Sequence, residues 1–423
     1  MTSVAREPKN EPKNEPKSEP RHEPKHAPKP SAGAAVDTRS PFVRLAELIA
    51  GVEPGMPAID LGLGEPKHPV PGFVAPVMAA HIGDFGRYPR NEGIPDFRAA
   101  AAAWTARRYQ LARPPDPERE VIVLNGSREG LFLGAIAARG YVPARAGRPA
   151  ILVPNPFYAA YSAGAVAADC EVIYLPTTRA TGFLPDLDAL APDLLARTVA
   201  FYLASPSNPQ GAVADLAYLR RVTEMARRHG FLVFSDECYS EIYTTVQPAG
   251  ILQAAGDNFD NVVLFQSLSK RSNLPGLRVG FAAGDRRFVG KFLELRNVAA
   301  PQVPIPAQHV AIAAYEDEQH VEVNRDLYRM KFDLADQIIG DRYGYKRPAG
   351  GFFLWLDVAR QGGSEAAAAK LWRDAGVRVL PGRYCARDQA DGSNPGADYI
   401  RVAMVHDTET TAEALHRIVS VLR

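Results

Sequence analysis

The sequence predicts an α/β fold: a large domain built on a mostly parallel sheet of seven strands sandwiched by helices, followed by a smaller α+β domain. Three observations predict it. Short apolar, β-rich runs recur at VIVLNGS (121–127), AILVPNP (150–156), EVIYLP (171–176), TVAFYLASP (198–206), FLVFSDE (231–237), NVVLFQS (261–267) and VGFAAG (279–284). Most are near-continuous rather than alternating, as expected of strands covered on both faces. Helical stretches separate several of them, and that alternation predicts crossover helices between parallel strands.

The elements follow in order. Residues 1–38 carry REPKNEPKNEPKSEPRHEPKHAPKP, a Glu-Pro-Lys/Arg-x unit repeated with period four. Proline at every fourth position forbids a helix, and the repeat has no apolar residue to bury. It reads as a disordered, charge-balanced tail, either a tether or solubility segment or the product of repeat slippage. Residues 41–75 are expected to pack with the small domain, and 76–300 form the large one. Within the latter, SREGLFLGAIAARG follows the first strand, and DLAYLRRVTEMARRHG (215–230) has apolar positions at helical spacing before a glycine C-cap. After about residue 300 the rhythm changes. A long helical region (about 307–340), GGFFLWLDV (350–358), a helix EAAAAKLWRDAG (365–376), strands VRVLPG (377–382) and YIRVAMV (399–405) and a final helix make the 301–423 domain. DGSNPGAD (391–398) is a turn-rich loop.

Composition excludes several classes. A chain of 423 residues suits two domains, and 46% hydrophobic content is ordinary for a globular protein. A formal net charge of +1 gives no reason to expect nucleic acid or a membrane surface as partner. The three cysteines (Cys170, Cys238, Cys385) are odd in number, widely spaced and without metal-ligand or disulfide pattern, which favours a reducing cytoplasm and no metal. No apolar run approaches the roughly 18 residues of a membrane span. The N-terminus has neither the apolar core of a secretory signal nor the acid-poor composition of a transit peptide.

Polar residues gather where the apolar runs stop. NGSREG (125–130) ends the first run and opens a helix, SPSNPQG (205–211) supplies Asn208, SDECY (235–239) supplies Asp236 and Tyr239, and SLSK (267–270) supplies Ser267 and Lys270. Taken singly, Asp236 could be a cap, Lys270 a solvated loop lysine, Asn208 a turn residue before proline and Tyr239 core. Together they point to one side of the sheet, because ligands of open α/β sheets bind outside the carboxyl ends of the strands. A helix N-terminus at Ser127–Arg128 offers backbone N–H groups to a phosphate, with Arg278 and the hydroxyls of Ser267 and Ser269 beside it. A lysine can form an imine with an aldehyde, a carboxylate can keep a ring nitrogen protonated, and an amide and a phenol can bond a ring oxygen. Pyridoxal 5′-phosphate has each of these features, and no metal or nicotinamide site needs the same set.

The stretches GLGEP (62–66), RYPRNEGIPDFR (87–98), NGS (125–127), PNPFYAAY (154–161), SPSNPQG, SDECY, SLSKRSNLPGLRVGF and YIRVA (399–403) occur in an order that resembles the fold-type I pyridoxal-phosphate aminotransferases of the aspartate aminotransferase class. The resemblance runs from Leu61 to Val405. It implies Lys270 as the Schiff-base lysine and Asp236 as partner of the pyridinium nitrogen, with Asn208 and Tyr239 at the ring oxygen and Tyr158 against the ring face. It implies Gly126, Ser127, Arg128, Ser267 and Arg278 around the phosphate. Tyr88 would reach the phosphate of a neighbouring subunit in a homodimer with shared sites, and Arg401 would clamp the substrate α-carboxylate with help from the backbone near Gly64 and from Asn208.

SKRSNLPGLR together with GEPKHPVP (64–71) resembles the N-succinyldiaminopimelate aminotransferases of lysine biosynthesis, although Val279 stands where those enzymes commonly have serine. That resemblance implies transfer of an amino group between N-succinyl-LL-2,6-diaminopimelate and 2-oxoglutarate. Lys67, Arg90, Asn91 and Arg271 are candidates for the distal carboxylates, or else solvated loop residues. An aspartate or other 2-oxoglutarate-linked aminotransferase would keep every cofactor residue, and a β-C–S lyase would use the same scaffold for elimination. A cofactor-sensing regulator would need a DNA-binding domain that the sequence does not offer. Cys238 reads as a packing residue, His309 and His320 as surface or core histidines, and Trp355 as core.

Overall fold

Apolar runs become strands where both of their faces can be covered. The computed structural model describes Thr2 and residues 39–423, so the Glu-Pro-Lys repeat lies outside the described residues. Its strands are β1 (Ile59–Asp60), β2 (Val121–Leu124), β3 (Ala150–Asn155), β4 (Glu171–Pro176), β5 (Thr198–Ala204), β6 (Leu232–Asp236), β7 (Val262–Ser267), β8 (Gly280–Gly284), β9 (Phe353–Asp357), β10 (Val377–Arg378), β11 (Leu380–Pro381) and β12 (Tyr399–Ala403). Seven of them form one mixed sheet in the order β2-β8-β7-β6-β5-β3-β4.

Pairing within that sheet is parallel from β4 through β7, whereas β8 runs antiparallel to both β7 and β2. Two reversals restore the direction, so β2 points the same way as the parallel strands. The carboxyl ends of β2, β5, β6 and β7 therefore open on one side. Strand β4, at one edge, is the exception to burial: four of its six residues are partly exposed and Pro176 is exposed, whereas β2 at the other edge is fully buried.

Helices cover both faces. Phe97, Trp104, Val123, Leu152, Phe201 and Val233 belong to the core on one face, and Leu131, Val153, Phe234, Phe265 and Phe288 to the core on the other. Fully burying one such aromatic side chain contributes roughly 1.5–3 kcal/mol. The helix Leu216–His229 is bounded as its sequence requires. The Asp215 carboxylate accepts from the Tyr218 N–H, Arg227, Arg228 and His229 fill the last turn, and Gly230 closes it at φ +69°.

A third core gathers Ile59, Leu61, Phe352, Leu354, Val402 and Ile418 around the antiparallel sheet β11-β12-β9. Strand β1 joins it from the other end of the chain by pairing in parallel with β10. Two expectations change here. The helical region 307–340 is two helices, Ile305–Glu316 and Gln319–Ile338, because the Asp317 carboxylate accepts from the Gln319 N–H and starts a new helix. VRVLPG is not one strand: the chain changes partner at buried Val379, with β10 bonded to β1 and β11 to β12.

Candidate active site

The polar groups at the strand ends converge. Strand β7 ends at Ser267, whose side chain caps the short helix Leu268–Arg271 by accepting from the Ser269 N–H. One turn into that helix, the Lys270 Nζ donates to the Gly64 carbonyl at 2.6 Å. Burial lowers the Lys270 amine to about 8, because desolvation disfavours the ammonium form.

Strand β6 ends at Asp236, which is only 8% exposed. Burial pushes its carboxyl up, and hydrogen bonds oppose the rise: Oδ2 accepts from the Tyr161 hydroxyl at 2.7 Å and Oδ1 from the Cys238 N–H at 3.2 Å. Tyr161 stacks on Tyr202 with centroids 4.6 Å apart, and Tyr158 meets Tyr161 edge-on at 5.7 Å. The Arg128 guanidinium donates to the Tyr158 hydroxyl. Tyr161 has no role in the sequence reading. Its signal was available: it lies three residues after Tyr158 at the start of the helix Ala159–Ala167, on the same helical face.

Strand β2 leads into the helix Ser127–Tyr141, whose N-cap is Gly126 at φ +75° with no side chain capping it. A Cβ at Gly126 would sit 2.3 Å from the Arg278 Nη2, and one at Gly280 would sit 3.4 Å from the Ser127 N. Gly126, Ser127 and Arg278 thus form a close cradle of donors around uncapped backbone N–H groups. Ser267 and Ser269 bond to one another at 3.0 Å through their hydroxyls.

Strand β12 carries Arg401 from the smaller sheet. It is 6% exposed, lies 4.4 Å over the Phe353 ring, and donates through Nη1 to Asn208 at 3.1 Å and through Nη2 to the Gly62 carbonyl at 2.7 Å. Its Nε is buried without a partner. Tyr239 is wedged between Phe352 and Phe353, and burial raises its phenol well above the usual range.

Tyr88 is not drawn into this cluster; it is 94% exposed. The distal candidates also separate. Arg271 is fully buried against Trp104 and Tyr315, donating to the Ala314 carbonyl and to Glu318, so it is neither solvated nor free to meet a substrate. Arg90 pairs with Glu92 at 3.8 Å, Asn91 is partly buried, and Lys67 lies 3.1 Å from His406. His320 is bonded at both ring nitrogens, to Asp317 and Ser272, and Trp355 is partly buried and stacks on Tyr399 at 4.9 Å. Cys238 is buried, as are the other two cysteines.

The donor set fits an aldehyde-bearing, phosphorylated pyridine: a partly neutral buried amine, a buried carboxyl held by two donors, and an uncapped helix start with an arginine beside it. Comparison with known proteins agrees. The chain belongs to the aminotransferase class I and II family, whose match spans residues 57–418. It is accordingly a pyridoxal-phosphate-dependent aminotransferase of fold type I. LL-diaminopimelate aminotransferase from Moorella thermoacetica is 33% identical over 387 residues, covering 90% of this chain and 95% of its own. The crystal structure of an aminotransferase from Neisseria meningitidis has a TM-score of 0.85 at 39% identity, covering 91% of this chain and 98% of that one. A probable N-succinyldiaminopimelate aminotransferase from Thermus thermophilus has a TM-score of 0.79 at 25% identity, covering 90% and 100%. No helix among the described residues is long and apolar enough to cross a membrane.

Proposed function

We propose that the chain transfers an amino group from a donor with the 2,6-diaminopimelate skeleton to a 2-oxo acid, with 2-oxoglutarate as acceptor. The observation that carries amino transfer is a buried cation and a reactive amine on either side of one segment; the donor skeleton rests on the relatives. Arg401 holds the Gly62 carbonyl and Lys270 the Gly64 carbonyl. An amino acid bound between them has its α-carboxylate at Arg401 and its Cα proton near Lys270. The name of the Moorella relative supports the diaminopimelate skeleton, and the GEPKHPVP and SKRSNLPGLR stretches support an N-succinylated form.

In this reading Arg278, Ser267, Arg128 and the N–H groups after Gly126 hold the cofactor phosphate. Asn208 and Tyr239 would bond the ring oxygen, and Tyr158 would lie against the ring. Asp236, whose ionised form is favoured by hydrogen bonds from the Cys238 N–H and the Tyr161 hydroxyl, would hold a proton on the ring nitrogen. Pyridoxal phosphate, when bound, supplies a protonated pyridine that withdraws electrons from the substrate Cα. Lys270 takes the Cα proton as a general base and later returns it as an acid, and its lowered amine suits both tasks. Arg401 orients the substrate through a charge-assisted pair with its carboxylate.

Tyr88, exposed beside Ile82 and Phe85, serves the phosphate of a second subunit in a homodimer. We take 76–300 as the cofactor domain and 301–423 as the small domain with 41–75 attached. The free, buried cysteines support a cytoplasmic location.

The test is a donor panel with purified protein and 2-oxoglutarate: LL-diaminopimelate, its N-succinyl derivative, L-aspartate and L-cystathionine. Glutamate formation should be fastest with a diaminopimelate donor, and the better of the two forms identifies the substrate. A preference for aspartate would overturn the donor assignment. Pyruvate and ammonia release from cystathionine without glutamate would make the chain a lyase.

A further inference from the structure

Away from the strand ends, the fold brings together three side chains that the sequence keeps far apart. His81 follows the helix Val74–Ala80, Asp84 lies in the 3-10 turn Ile82–Gly86, and His309 lies in the helix Ile305–Glu316. The Nδ1 of His81 is 3.2 Å from the Asp84 Oδ2, and the Nε2 of His309 is 3.9 Å from the same oxygen. The three residues form the one cluster of this kind among the described residues, with ligand atoms all within 4.8 Å of one another.

We propose that His81, Asp84 and His309 form a three-ligand site for a divalent transition metal, with Zn2+ as the reference ion. Ligand atoms about 2.0–2.1 Å from a tetrahedral zinc lie about 3.3 Å from one another; His81 and Asp84 already stand at that spacing, and His309 has to close in from 3.9 Å. Two imidazoles and one carboxylate are a donor set that suits zinc, whereas magnesium and calcium favour oxygen ligands throughout. The Arg87 guanidinium engages the other carboxylate oxygen, Oδ1, and leaves Oδ2 for the cation. This is the outer contact that commonly orients a ligating carboxylate.

The ring geometry sets what binding requires. The imidazoles stack with centroids 3.5 Å apart and planes 9° apart. Stacked rings direct their lone pairs in parallel, so binding requires one ring to tilt. The His81 and His309 side chains, 34% and 23% exposed, have solvent on one side to do so, and that side also leaves room for water as the fourth ligand. A bound ion would clip the turn preceding Tyr88 to the helix Ile305–Glu316. The site is separate from the transamination chemistry and does not depend on the donor assignment.

The test uses the cofactor-loaded enzyme after dialysis against a chelator. Titration with Zn2+ should show one saturable equivalent per chain, and Co2+ should give visible ligand-field absorbance. His309→Gln and His81→Ala should each weaken binding at least about tenfold, with turnover before metal addition within about twofold of the parent. Zn2+ should raise the thermal midpoint of the parent and not that of His309→Gln. Absence of saturable binding in the parent would overturn the site. So would Co2+ absorbance that persists in His81→Ala/His309→Gln, since the ion would then lie elsewhere.

Discussion

The Lys270 amine donates to the Gly64 carbonyl at 2.6 Å, joining the turn after β7 to the segment after β1. That bond and burial act on the same nitrogen in different ways. The bond orients it, and burial lowers its proton affinity to about 8. Only the neutral amine attacks an aldehyde. The rate at which cofactor-free enzyme recaptures pyridoxal phosphate should therefore rise with pH through about 8 and level off above it. Stopped-flow absorbance of reconstitution measures this, and a midpoint near an ordinary lysine value, about 10.4, would contradict it.

In the proposed mechanism, Lys270→Ala removes the imine-forming and proton-transferring group together. Overall turnover should fall by at least about 10²–10⁴-fold, and the lysine-bound cofactor band should vanish. Far-ultraviolet circular dichroism should remain unchanged.

Tyr161→Phe tests whether Asp236 is held ionised. The hydrogen bond stabilises the carboxylate against burial, which pushes its carboxyl up. Deleting the hydroxyl raises that carboxyl further, so the acid limb of the kcat/KM profile should move to higher pH. A hydrogen bond to a charged group contributes about 1.5–3 kcal/mol, which corresponds to one or two pH units. An unmoved acid limb would remove Tyr161 from the proton bookkeeping of the site.

Arg401→Ala should lower kcat/KM for amino and oxo acids alike by about 10²-fold, the scale for truncating one partner of a buried charge pair. The variant should still bind the cofactor, because Arg401 bonds Asn208 and Gly62 and none of the residues proposed to hold the phosphate. Steady-state kinetics with both half-reaction substrates provide the measurement.

Gly126→Ala would introduce a Cβ 2.3 Å from the Arg278 guanidinium, at a backbone angle of φ +75° and ψ 158° that is costly for other residues by about 1–3 kcal/mol. The flexible Arg278 should yield before the backbone does. The variant should fold, bind pyridoxal phosphate about tenfold or more weakly, and recover most of its turnover at saturating cofactor. Equilibrium dialysis of the cofactor distinguishes this from a general loss of stability.

The large sheet was legible because its strands are buried on both faces, so their apolar runs are continuous and end abruptly at Asn125, Asp236 and Ser267. That punctuation, taken over four strand ends together, singles out Lys270 and Asp236 as candidates. Other features depend on long-range pairing that leaves no periodic trace. The direction of β8 is set by its neighbours, and the division of VRVLPG depends on partners at residues 59–60 and 400–401. Arg271 looks like a loop cation because its aromatic cover, Trp104 and Tyr315, comes from distant helices. His309 looked solitary because its partner histidine is more than two hundred residues upstream.

The parallel pair β1–β10 and the contact of Arg401 with Gly62 have a consequence for biosynthesis. During translation, every side chain proposed to hold the cofactor has emerged from the ribosome once Arg278 is clear. Arg401, the proposed carboxylate clamp, still awaits β12, more than a hundred residues later. A growing or prematurely terminated polypeptide could thus acquire its vitamin-derived group well before it could grip an amino acid.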